Sequence, residues 1–151
     1  MIVSTASGVA GSTVLPFVER EVAELQRRLA QLRPRLLAEA EAGVVRVLNG
    51  LETADLVHIA SHGHFDRESP DQSCLYLADG RLSLDRLKSV FPHRMRLVFL
   101  SCCESGVAGR SSIPDEFVGL LPSLLQCGAE AAIGTLWPVY DDAAMLCAVR
   151  F

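Results

Sequence analysis

The chain has 151 residues, half of them hydrophobic and 21% charged, and carries a formal net charge of −4. This is the size of one domain with enough apolar surface to bury a core, which excludes a disordered chain. The acidic balance speaks against nucleic-acid binding, which usually shows as a basic patch, and no apolar run reaches the roughly 18–20 residues of a membrane span.

Ile2-Val3-Ser4 reads as a short first strand, and the start of the chain has no charged region to open a signal peptide. Gly8, Gly11, Ser12 and Thr13 make a flexible loop. Pro16 then opens a helix, because proline is tolerated in a first turn. Phe17, Val18, Val22, Leu25, Leu29 and Leu32 recur at helical spacing up to Pro34. Arg20, Arg27, Arg28, Arg33 and Arg35 are interleaved with Glu19, Glu21 and Glu24, the pattern of a solvated helix face. Leu36-Leu37 fits either a second strand or a helical segment. Val44, Val45, Val47, Leu48 and Leu51 form the apolar stripe of a second helix.

Residues 56–60 read as a buried strand and 61–73 as a polar loop. Residues 75–82 form a hairpin with Asp79-Gly80 at its turn. Ser83 suits the N-cap of a short helix through Val90, and His93 follows Pro92 in a surface turn. A second buried strand spans 97–100 and a Gly/Ser-rich loop spans 105–112. A helix from Pro114 to Cys127 ends at Gly128, a natural terminator. Residues 131–136 form a third buried strand. Asp141 or Asp142 starts a helix still running at Phe151, so a single domain over 1–151 is expected, incomplete at its C-terminus. Strand–helix units with continuously apolar strands predict an α/β fold, a mostly parallel sheet with helices on both faces. Sites in such sheets form at the carboxyl ends of strands.

Two of those ends carry chemistry. Val57-His58-Ile59-Ala60-Ser61-His62-Gly63-His64 delivers a histidine followed by glycine, and Leu97-Val98-Phe99-Leu100-Ser101-Cys102-Cys103 delivers a cysteine pair. A cysteine with a histidine beside it is the minimal set for a thiolate nucleophile and its acid/base partner. Strand alternation points Cys102 and Cys103 opposite ways, so one of them faces His62, and spacing alone leaves open which. A zinc site from His58, His62, His64, Cys102 and Cys103 competes weakly. There is no Cys-x-x-Cys pair, and adjacent cysteines rarely both ligate one ion, so neither metal nor cofactor is expected. His58, in mid-strand, reads as a satisfied core histidine. Trp137 follows the third strand, either beside the cleft or in the core. Asp141 is either the cap of its own helix or a pocket anion for a basic substrate side chain. The odd cysteine count, with the thiols in or beside apolar stretches, fits a reducing compartment and a cytoplasmic protein.

The stretches His58 to Gly63, Leu100 to Gly106, Asp115 to Leu120 and Gly128 to Val139, with Asp141, resemble CHAT domains in sequence and order. Leu15-Pro16 followed by Glu21 resembles the first helix of that family. The resemblance implies a caspase–haemoglobinase-like fold and a cysteine endopeptidase hydrolysing protein or peptide substrates through an acyl-enzyme. It places the base on His62 and the nucleophile on Cys103, with Cys102 where the family has a small alanine and Ser105 where it has threonine. It implies the amides of Gly63 and Cys103 as oxyanion donors. Asp141 and Trp137 fall where separases have a segment lining the pocket for a basic P1 residue. A repeat-containing sensor domain or partner protein is the expected activator. The competing expectation is a non-catalytic CHAT-like scaffold for protein interaction.

Overall fold

The computed structural model describes residues 1–6, 14–89, 95–103, 109–110 and 117–151. The predicted loop at 8–13, the turn at His93, most of the loop at 105–112 and the expected helix start at Pro114 lie outside the described residues.

The strands are β1 (Ile2–Ser4), β2 (Leu36–Ala38), β3 (Leu56–Ala60), β4 (His62–His64), β5 (Cys74–Leu77), β6 (Gly80–Ser83), β7 (Leu97–Ser101), β8 (Gly109–Arg110), β9 (Phe117–Val118) and β10 (Ala131–Ile133). The helices are α1 (Val18–Arg28), α2 (Val44–Thr53), α3 (Leu84–Lys88), α4 (Leu120–Gln126) and α5 (Asp141–Arg150). The central sheet has five strands in the order β10-β7-β3-β1-β2, and every pairing in it is parallel. The fold is therefore α/β with a parallel central sheet flanked by helices.

Apolar strands form here because both faces of the sheet are covered. On one face Val3, Leu37, Val57, Ile59, Val98 and Leu100 meet Val47 and Leu51 of α2, Leu84 and Leu87 of α3, and Leu120 and Leu124 of α4 in one buried cluster. On the other face Ile2 and Ala60 meet Val18, Val22 and Leu25 of α1, and α5 lies beside α1 and β7. A second, antiparallel sheet of β4, β5 and β6 follows β3 in the chain. Thr5 Oγ1, just past β1, donates to the Tyr76 carbonyl at 3.1 Å and ties the two sheets together.

Several elements differ from their sequence reading. Residues 61–73 are not wholly loop, because His62–His64 pairs with Cys74–Tyr76 as β4. The hairpin turns at Ala78-Asp79 with Gly80 already paired to Leu77, so Asp79 rather than Asp-Gly sits at its centre. Gly80 has φ 151, a conformation that favours glycine. Asp79 Oδ1 accepts the Val44 amide at 2.7 Å and so caps α2 from across the fold. Leu36–Ala38 is a strand, parallel to β1. The helix expected from Pro114 begins only at Leu120, since Phe117–Val118 pairs with Gly109–Arg110. It ends as expected at Gly128, whose φ is 110.

Candidate functional site

β3 and β7 are neighbours, with Ala60 opposite Ser101. His62 and Cys103 each lie two residues beyond those partners, so the register brings both segments to one carboxyl edge of the sheet. Alternation sorts the faces. Val57, Ile59, Val98, Leu100 and Cys102 belong to the large core cluster. Ala60 packs with α1, and His58 and Ser101 bond to Glu21 of α1. Cys102 is 3% exposed, whereas Cys103 is only partly buried.

The two turns touch. A Cβ built on Gly63 would fall 2.8 Å from the Cys103 carbonyl oxygen and 3.3 Å from Cys102 Cβ. The first is a backbone atom that cannot rotate away, so the approach requires glycine. The Cys102-Cys103 turn is held from its other side by the segment after β10. Thr135 Oγ1 donates to the Cys102 carbonyl at 2.7 Å, and Cys103 Sγ lies 3.8 Å from the Val139 carbonyl oxygen. An apolar cavity of ≈ 260 Å³ abuts this turn, with Ser101, Thr135, Val139 and Cys147 in its wall. A second cavity of ≈ 440 Å³, lined by Met1, Leu29, Pro34 and Leu97 among others, sits towards the amino ends of the strands, away from these turns.

His62 is partly buried at the start of β4, opposite Tyr76. His64 is exposed and opposite Cys74. All five cysteines are free thiols. Burial pushes the Cys74 thiol above its ordinary pKa, against an opposing pull from Arg81 and Tyr76. Burial raises the Cys127 thiol too, against Lys88, and its Sγ donates to the Leu87 carbonyl at 3.1 Å. Both are thereby poor thiolates. Among the described residues no group of three or more His, Cys, Asp or Glu side chains could hold a metal ion, and no helix is long and apolar enough to cross a membrane.

Trp137 is 64% exposed in the segment between β10 and α5, so it is not ordinary core. Asp141 is the first residue of α5 and does not cap it. Its Oδ2 instead accepts the Phe17 amide at 2.6 Å, at the start of α1. His58 is the satisfied core histidine its position predicts, with Nε2 2.6 Å from Glu21 Oε1.

The sequence alone does not mark Glu21 as bonded to the two strands that end at these turns. Glu21 is 1% exposed, not part of the solvated face that its charged neighbours suggest. The signal was its spacing: with Val18, Val22 and Leu25 it falls on the inner stripe of α1.

The CHAT domain family model matches residues 5–151 of the chain. No curated protein matches it.

Proposed function

The chain belongs to the CHAT domain family, and from that premise we propose that it is a caspase-like cysteine peptidase domain with Cys103 as nucleophile and His62 as base. The observation that carries this reading is the contact between the two strand-end turns, where Gly63 lies against the Cys103 carbonyl. That contact supports a shared locality for His62 and Cys103, which are far apart in sequence. Burial of Cys102 in the apolar core supports Cys103 as the reactive member of the pair.

In the proposed reaction His62 takes the Cys103 thiol proton, and the thiolate attacks the peptide carbonyl carbon. The amides of Gly63 and Cys103 donate to the oxyanion. The C–N bond breaks as the imidazolium gives its proton to the leaving amine, leaving a thioester on Cys103. Water then attacks the thioester, His62 takes a water proton, and the C–S bond breaks to free the acid product and the thiol. Trp137 and Asp141 flank Val139, whose carbonyl oxygen lies 3.8 Å from Cys103 Sγ, and are the proposed substrate-binding side chains. The free thiols suit a cytoplasmic setting, and a repeat-containing sensor domain or partner protein is the proposed activator.

The test is iodoacetamide labelling across pH, read per cysteine by mass. Cys103 is expected to label well below the free-thiol pKa of about 8.5. Cys103→Ala should remove that fast phase and any peptide hydrolysis, while Cys102→Ala keeps the phase. Equal loss in both variants, or a Cys103 that reacts only above the free-thiol pKa, would overturn the assignment.

A further inference from the structure

Beneath the candidate site, α1 sends a carboxylate into the sheet. Glu21, His58 and Ser101 are 1%, 8% and 7% exposed. His58 Nε2 donates to Glu21 Oε1 at 2.6 Å, and Ser101 Oγ donates to Glu21 Oε2 at 3.1 Å. Phe99 stacks on the His58 ring with centroids 5.2 Å apart. A buried carboxylate is costly unless paired and hydrogen-bonded, and here each oxygen has a partner on a different strand.

The positions matter more than the pairing. His58 lies on β3 four residues before His62, and Ser101 ends β7 two residues before Cys103. In the parallel register His58 is opposite Phe99 and Ser101 is opposite Ala60. The carboxylate therefore bridges β3 and β7 on a diagonal, which resists sliding of one strand along the other. Such sliding would change the separation of His62 and Cys103 directly. The same helix has its Phe17 amide bound by Asp141, in the segment that follows Val139. α1 thus links all three segments that meet at the site.

We propose that Glu21 is a positioning residue for the His62–Cys103 pair, acting through His58 and Ser101. The proposal rests on the peptidase reading and assigns Glu21 no contact with substrate. What it supplies is geometry, so an uncharged group of the same shape should serve. The amide of a Glu21→Gln variant can accept from Ser101 with its oxygen and donate to His58 Nε2 with its nitrogen, the imidazole then carrying its proton on Nδ1.

The experiment labels the full chain with iodoacetamide at neutral pH and follows each cysteine by mass, with exposed Cys147 as the reference inside the same molecule. Misplacement of a reacting group by about 1 Å can cost a hundredfold. Glu21→Ala and Ser101→Ala are expected to slow Cys103 about tenfold to a hundredfold relative to Cys147, and Glu21→Gln to restore most of the rate. Ser101→Ala deletes one hydroxyl and leaves the Glu21–His58 pair, so it decides the matter if Glu21→Ala does not fold. A folded Ser101→Ala variant with unchanged Cys103 reactivity would overturn the proposal. So would Glu21→Gln behaving like Glu21→Ala, since charge rather than position would then be at work. A wild-type Cys103 no faster than Cys147 is a different failure: it removes the peptidase reading, and the proposal with it.

Discussion

Gly63 separates a contact between two turns from a clash. Its missing side chain admits the Cys103 carbonyl oxygen, which would lie 2.8 Å from any Cβ there. Gly63→Ala should therefore push the β3 and β7 turns apart. The expected cost is about 1–3 kcal/mol, typical of overpacking a filled site, read from urea unfolding. Cys103 labelling should also slow. An alanine variant with wild-type stability and labelling would mean that the turns part without consequence, and the site would lose its tightest constraint. At this scale the sequence was only partly legible. The His-Gly pair and the two cysteines stand out in any reading, but alternation could not say which cysteine turns inward. Burial of Cys102 with Val98 and Leu100 depends on which sheet face carries α2, α3 and α4, and that is a property of the tertiary fold.

Among the elements, α2 shows how a local signal can be supplied from afar. Its N-cap is Gly43, with no side chain to cap the helix, yet the Val44 amide is satisfied by Asp79 from the β5–β6 turn. A Cβ on Gly43 would fall 2.8 Å from Asp79 Oδ2, so the glycine makes room for the carboxylate. Asp79→Ala should cost about 0.5–2 kcal/mol, as loss of a helix cap does, and Asp79→Asn much less, because its amide oxygen can still accept. Equal losses for the two would show that charge, not the hydrogen bond, carries the effect. The sequence marks Asp79 as a turn residue and gives no hint of its partner 35 positions back. The long apolar strands β3 and β7 were legible because burial on both faces leaves a continuous hydrophobic run. β4 was not, because His-Gly-His has no apolar alternation and owes its extended state to pairing with β5.

For the whole molecule, the two layers against the sheet are unequal. α2, α3 and α4 share one large apolar cluster with the sheet. The α1 face holds a smaller one, and α5 buries only Met145 and Ala148, with Leu146 52% exposed. Segments with little buried apolar contact open locally at lower free energy than the core. Amide exchange should therefore be fastest in α5, intermediate in α1 and slowest in α2, β3 and β7. Asp141 joins the two weaker helices by accepting the Phe17 amide at 2.6 Å. Asp141→Ala removes that acceptor and should lower protection in the first turn of α1 and in α5 together, by about 0.5–2 kcal/mol if it acts as a cap does. α2 should be unaffected, because its contacts lie on the opposite face. Loss of protection spread evenly over α1, α2 and α5 would mean that the domain opens only as one unit. α1 and α5 would then have no mobility independent of the core. Loss confined to α5 would show that the bond to Phe17 does not couple the pair. Only a joint loss in α1 and α5, with α2 intact, shows that the two helices open together as a layer distinct from the larger core.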